Sequence, residues 1–470
     1  MAVENRIARI KKRSGAQVGF DQGEITDAIY QAAVSIGGFK QDIMAESIYG
    51  AFKDKSDREI AQLLSDDVVM CLNANKMNTN RDTPPDIEVV QDQVVHVLRS
   101  RGFIDIADVY EVYRSGRTLI REKLITREQF AGNGFPQSKA EAVAEWNTRH
   151  NCDTIEKLNA WVLSGRFKDL VEQSIEEYER QLDEVVADFL RRDTIRVMLI
   201  TGPSSSGKTT TTRKIAKKLE VHGKIFRELN LDDYFLGLNE YPQDSFGDWD
   251  FETPHALKLD LIDRHIAELL EGKTIKKPVY DFKRGLSIPE SEAITIAPNE
   301  ILLLDSLHGL YPAMTISTPE RCKYKMFIEA MTLHTLGGGK DGIRTKWTDT
   351  RMLRRMLRDR DHRNHSPAMT LGHWHFVRKG ELRDMIPFIM TTDKIINGGL
   401  AFELPVLKKC MGGDYPDPQE FLRQGRLDAY IRGERVKRLL DSLLEPEDIS
   451  TAVIPADSHL REFIGGLRVD

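Results

Sequence analysis

Apolar residues recur along this chain in two rhythms, and the change from one to the other divides it. Up to about residue 190 the period is helical. Ile25, Ala28, Ile29, Ala32, Ala33 and Ile36 share one face, and further helices are predicted near 57–73 and 87–113. In a strongly charged stretch, Val171, Ile175, Tyr178, Leu182, Val185 and Phe189 follow spacings of four and three. That seam is short for a coiled coil and predicts a helix laid on a neighbouring domain. A hairpin opens the chain, with Arg6–Ile10 and Val18–Phe20 flanking Lys11-Lys12-Arg13-Ser14-Gly15. Beyond residue 194, short apolar runs at 196–201, 225–231, 300–305, 324–329 and 393–397 alternate with helical patterns. This βαβ alternation predicts an α/β fold, a parallel sheet covered by helices on both faces. A last helix carries Val436, Leu439, Leu440, Leu443 and Leu444 and stops before Pro446.

The 470 residues exceed one ordinary core and predict several domains. Three zones are expected: a mostly helical domain at 1–123, a helical linker at 124–193 and the α/β domain at 194–470. Sixty-seven basic against 73 acidic residues give a net charge of −6, which offers no general case for a nucleic-acid partner. Cys71, Cys152, Cys322 and Cys410 are far apart and show neither disulfide nor zinc spacing. With no apolar run near membrane-spanning length and none at the N-terminus, a cytoplasmic protein without a membrane partner is expected.

The run Arg196-Val197-Met198-Leu199-Ile200 leads into Gly202-Pro203-Ser204-Ser205-Ser206-Gly207-Lys208-Thr209-Thr210. A buried strand feeding G-x-x-x-x-G-K-[ST] at the head of a helix is a phosphate loop, whose backbone N–H groups cradle a nucleoside triphosphate. Lys208 is expected on the outer phosphates and the Thr209 hydroxyl on Mg²⁺. Ile301-Leu302-Leu303-Leu304-Asp305 is a buried strand ending in a carboxylate, as a second magnesium ligand requires. Asp232 and Asp233 follow the second strand, at the sheet edge where α/β proteins bind ligands. Asp232 there can orient or deprotonate an acceptor hydroxyl, or hold Mg²⁺ through water. Glu252, ahead of a helix, can cap it or grip acceptor hydroxyls. Arg351, Arg354, Arg355 and Arg358 recur at helical spacing. Such a guanidinium face is costly unless polyphosphate or carboxylates neutralise it, and it predicts a lid closing over the phosphates.

Taken in order over about 194–411, these motifs resemble the uridine kinase/phosphoribulokinase family of P-loop kinases, and more closely its nucleoside kinase branch. The carrying segments are GPSSSGKTT, LDDYF, DFETP, PVYDF (278–282), LLLDSLHG, TDTRMLRRMLRD, AFELPVLK (401–408) and LREFIGG (460–466). The resemblance implies ATP and Mg²⁺ as cofactors and a small hydroxyl acceptor, a nucleoside or a sugar. It implies Asp232 as general base, Asp233, Glu252, Tyr280 and Phe282 on the acceptor side, and Thr209 and Asp305 on the metal. Arg354, Arg355 and Arg358 become lid residues. Gly285 and Ser287 stand where uridine kinases carry the histidine and arginine that read the base. Two alternatives stay open: a nucleotide-sensing regulatory P-loop ATPase with no small acceptor, and a sugar-phosphate kinase using Lys283 and Arg284. The first zone resembles the ATP-cone, through KKRSG, FD, the EITDAI helix and VVHVLRSRGFIDIADVYEVYRSGR. That implies ATP or dATP bound by Lys11, Lys12 and Arg13, although Glu24 replaces the usual lysine. Assembly into a homo-oligomer is implied as well.

Overall fold

A computed structural model describes residues 5–36, 38–39, 52, 54–75, 83–130, 136–240, 253–281, 284–337 and 343–468. Glu252, Phe282, Lys283 and most of the glycine-rich loop near 132–135 lie outside them. The chain divides into two compact units: Met1–Arg121 with Gly132–Gly134 and Asp417–Arg435, and Glu122–Ala131 with Phe135–Pro416 and Val436–Asp470.

In the first unit, β1 (Arg9–Lys11) and β2 (Gln17–Gly19) form an antiparallel hairpin ahead of α1 (Gln22–Val34), α2 (Asp57–Ala74), α3 (Ile87–Ser100) and α4 (Ile104–Arg121). Ile29, Leu64, Val68, Val94, Leu98 and Phe103 close one core. The helix begins where local chemistry directs: Ser56 and Glu59 make a reciprocal cap on α2, worth about 1 kcal/mol. The predicted helix over 87–113 is two helices, because the chain turns at Gly102 with φ of 86°.

In the second unit, α5 (Gln137–Arg149), α6 (Ile155–Leu163) and α7 (Phe167–Leu190) precede β3 (Val197–Thr201), α8 (Lys208–Glu220) and β4 (Ile225–Glu228). Next come α9 (Leu259–Leu270), a hairpin of β5 (Ile275–Asp281) and β6 (Leu286–Ile294), β7 (Glu300–Asp305) and β8 (Lys323–Glu329). A two-residue pair, β9 (Thr335–Leu336) and β10 (Ile343–Arg344), leads to α10 (Trp347–Arg363), α11 (Pro367–Asp384), β11 (Lys394–Asn397) and α12 (Glu403–Met411). The chain then passes through α13 (Pro418–Arg423) and the first half of α14 (Leu427–Ser442), which belong to the first unit, before the rest of α14 and α15 (Arg461–Ile464) return to the second.

Five strands form a parallel sheet in the order β11-β8-β3-β7-β4, at the places the apolar runs predict. All five residues of β3 are buried, as a central strand covered on both faces requires. The charged helix α7 packs within this unit: the Tyr178 hydroxyl meets Thr211 Oγ1 at 2.7 Å on α8, and Tyr324 on β8 donates to Asp188 at 3.0 Å. It therefore joins the α/β unit, and its seam meets that unit's own helix and sheet. Among the described residues no helix is long and apolar enough to cross a membrane.

Candidate active site

The crevice is built where β3 and β7 end side by side, with Ile200 in register with Asp305. The chain leaves β3 through 202–207 and enters α8 at Lys208. Gly207 occupies the left-handed region at φ of 89°, and a Cβ there would sit 2.9 Å from the His459 ring. No side chain caps the start of α8, so its first N–H groups face the loop as an anion site. Ser205 and Ser206 each bury a hydroxyl that has no hydrogen-bond partner. Unpaired donors in a glycine-bounded hollow fit a polyphosphate, whose oxygens would satisfy them.

Lys208, Asp305 and Asp232 converge here. Lys208 forms an ion pair with Asp305, and both side chains are mostly buried. Burial pushes the Lys208 ammonium down to about 8, against the pull of Asp232, Glu462 and Glu228. Asp232 sits in a one-turn helix after β4, its N–H bonded to Asn230 Oδ1 at 3.1 Å. The residue is exposed, with its carboxyl partly enclosed by neighbouring groups. That enclosure raises its pKa, Lys208 opposes the rise, and Asp233 adds to it. A pH dependence follows. A bound triphosphate favours charged Lys208, so ATP binding above pH 8 is expected to take up as much as one proton. Titration calorimetry in buffers of unlike ionisation heat measures this, and a buffer-independent heat at pH 8.5 would exclude it.

Two expected site residues are engaged elsewhere. Asp233 is paired with Lys277 on β5, which also meets Glu292 at 2.9 Å. It fastens the hairpin to the turn. Arg354 is not a mobile lid residue: its guanidinium is fully buried and grips Glu403 from Nε at 2.6 Å and Nη2 at 3.0 Å. Arg351 is buried likewise against Glu381 and Glu329. Carboxylates, and not polyphosphate, thus neutralise half of the arginine face.

Arg355 and Arg358 do reach the crevice. Arg355 donates to Ser204 Oγ at 3.0 Å, and Asp359 receives Arg355, Arg358 and Arg363 at 3.1, 3.4 and 3.4 Å. One carboxylate against three guanidiniums leaves an excess of positive charge beside the loop. Burial, with Arg363 and Arg355 nearby, lowers the Arg358 pKa, so a further anion is electrostatically welcome. Thr209 is exposed at the head of α8. Tyr280 is buried on β5 with its ring 5.6 Å from Phe235. Gly285 leaves room for Leu238, whose Cδ1 would lie 2.1 Å from a Cβ at that position, so the hairpin tip has no space for a larger residue.

The segment from 457 to 463, part of which carries the family resemblance, has no chemical role legible in the sequence. His459 packs over Gly207, lies tilted against the Tyr178 ring at 4.3 Å and bonds Gly398 O at 2.8 Å, while Glu462 accepts from Thr210 Oγ1 at 2.9 Å. His308, three residues past Asp305, is buried with both ring nitrogens unpartnered, and burial pushes it down to about 3. A charged residue inside an apolar run, as in Phe402-Glu403-Leu404, is the signal that makes Glu403 discoverable; Glu462, beside Arg461, has no such signal.

In the first unit, Arg13 is held by Glu88, by Thr118 Oγ1 at 3.0 Å and by Gln91 Oε1 at 3.3 Å, and Lys11 pairs with Asp86 at 3.4 Å. Lys12 is exposed at the hairpin turn, closed by Gly15 N–H to Lys12 O at 2.8 Å.

A parallel sheet with this loop, its lysine and a carboxylate on the adjacent strand defines a P-loop nucleotide site, and comparison with known proteins makes the chain a phosphotransferase acting on a hydroxyl. The model of the phosphoribulokinase/uridine kinase family matches residues 197–321, and that of the ATP cone domain matches residues 8–119. It is 28% identical over 206 residues to a uridine kinase of Deinococcus deserti, covering 43% of this chain and 88% of the relative. It is 27% identical over 228 residues to a uridine kinase of Brevibacillus brevis, covering 48% and 96%. The solved "Structure of a Possible Uridine Kinase from Bacillus stearothermophilus" aligns at 14% identity with a TM-score of 0.25, covering 32% of this chain and 80% of that one.

Proposed function

We propose that this chain transfers the γ-phosphate of ATP to a hydroxyl of a nucleoside, uridine- or cytidine-like, under control of its cone domain. The observation that carries the reading is the convergence of Lys208, Asp305 and Asp232 at one end of the parallel strands. Lys208 binds the outer phosphates, and Arg355 and Arg358 offset charge that develops on the transferring group. Thr209 and Asp305, the latter paired with Lys208, would hold magnesium, which would supply positive charge against the phosphates. Asp232 orients the acceptor hydroxyl and takes its proton, a task its raised pKa suits. Tyr280 lines the acceptor side, with Phe282 and Glu252 its expected companions.

The uridine kinases among its relatives support a nucleoside acceptor. The test is ADP release from Mg·ATP against a panel of nucleosides, deoxynucleosides and sugar phosphates. Strong stimulation by one nucleoside is expected, and a sugar phosphate as the best acceptor would move the substrate class. A flat panel with slow background hydrolysis would favour a regulatory ATPase, a reading kept in view by the cone.

We assign residues 1–123 to regulation by ATP or dATP, through Lys12 at the exposed turn with Arg13 and Lys11 beside it. Lys12→Ala is expected to abolish the response of the kinase rate to dATP. Unchanged dATP regulation would remove Lys12 from the site.

A further inference from the structure

The phosphate loop is fastened from behind by two arginines that never reach the crevice. Arg351 and Arg354 project from α10 with no exposed surface. Arg351 Nη1 donates to Ser204 O at 3.1 Å, and Arg354 Nη1 donates to Ser205 O at 3.2 Å. The rest of each fork faces buried carboxylates and, for Arg354, one further carbonyl. Arg351 meets Glu381 at 2.6 and 2.9 Å and Glu329 at 2.7 Å, and Arg354 meets Glu403 at 2.6 and 3.0 Å and Gly398 O at 2.7 Å. Trp374 and Phe463 lie against the two guanidiniums at 5.7 and 5.0 Å.

The residue between the two anchored carbonyls is Ser205, at φ of 62° without being glycine. A side-chain-bearing residue stays in that region only when its surroundings over-determine it. Here the peptide groups on both sides are held. In a trans peptide the C=O and N–H point in opposite directions. Drawing Ser204 O towards α10 therefore turns the Ser205 N–H to the other side, where a phosphate would lie.

We propose that Arg351 and Arg354 are positioning residues: with Glu381 and Glu403 as counter-ions, they hold Ser205 left-handed and its N–H aimed at the polyphosphate. This rests on the reading of the loop as the ATP site. It separates the arginine helix into two pairs, one that shapes the loop and one, Arg355 and Arg358, that faces the phosphates.

Removing one partner of a buried ion pair leaves a stranded charge, so the test replaces both: Arg354→Met with Glu403→Leu. The double variant lacks the anchor on Ser205 O and leaves no unpaired charge. Affinities for Mg·ATP and for inorganic tripolyphosphate are measured by calorimetry, beside circular dichroism and thermal melting. A folded variant is expected to bind both at least tenfold more weakly, with KM for ATP raised more than kcat is lowered. Wild-type affinity for both in a folded variant would overturn the proposal. Should the pair fail to fold, Arg351→Lys, which keeps the buried charge but not the fork, takes its place with the same expected and opposing results. Adding Ser205→Gly to Arg351→Lys is expected to recover threefold or more in affinity, because glycine takes positive φ without being held. No recovery would mean that the arginines do not act through this backbone. An unsubstituted protein that binds neither ATP nor tripolyphosphate would instead refute the kinase reading itself.

Discussion

Lys208→Ala is expected to lower phosphoryl transfer from ATP by roughly 10²–10³-fold or more in kcat, the scale seen when one preorganised electrostatic contact is removed. The reason is local. Lys208 is the cation at the head of α8 that also touches the carboxylate of the neighbouring strand, so it links the phosphate loop to Asp305. Its loss removes a positive charge from where negative charge concentrates and leaves Asp305 without its partner. Single-turnover transfer of labelled γ-phosphate, with circular dichroism to confirm folding, is the measurement. A kcat within threefold of the unsubstituted enzyme would take Lys208 out of the chemistry.

Asp232→Asn is expected to separate binding from chemistry. The amide has the shape of the carboxyl and still accepts a hydrogen bond, so ATP affinity should change little. It cannot take the acceptor's proton, and kcat should fall by about 10²-fold or more. The pH profile is a second readout. Because enclosure raises the Asp232 pKa above that of an ordinary aspartate, near 3.9, the active carboxylate form is lost as pH falls through that raised value. The acid limb of kcat/KM should therefore lie above that of an ordinary aspartate and vanish in Asp232→Asn. Retention of the full rate, or of the acid limb, would assign the base elsewhere.

Lys208→Ala should weaken ATP binding and transfer together, whereas Asp232→Asn should weaken transfer alone. The Arg354→Met/Glu403→Leu variant should weaken binding most. Three distinct kinetic signatures thus correspond to a phosphate ligand, a proton acceptor and a loop support.

Periodicity and local motifs carried much of this protein openly. Continuous apolar runs mark the central strands β3 and β7 because such strands must be apolar on both faces, whereas β4 at the edge carries Arg227 and Glu228. The glycine-bounded loop, Lys208 and Asp305 are legible because their chemistry depends on short-range spacing along one strand–turn–helix. The break at Gly102 was visible only as a glycine in a long helical pattern, and tertiary packing decided that the chain turns there. The arginine helix shows the limit most clearly. Spacing places Arg351, Arg354, Arg355 and Arg358 on neighbouring turns but does not say which way each points. Glu329, Glu381 and Glu403, distant in sequence, decide that two of them are internal, because a guanidinium is buried only where carboxylates and carbonyls meet its donors. Asp233 is likewise claimed by Lys277, on a strand 44 residues away. Residues 457–463 arrive at the phosphate loop from the far end of the chain, a proximity that no local pattern encodes. The sequence by itself determined the strands, the phosphate loop and the class of chemistry, since each is written in adjacent residues. The tertiary structure alone decided which charges face the substrate and which hold the loop, since that depends on partners brought together only by folding.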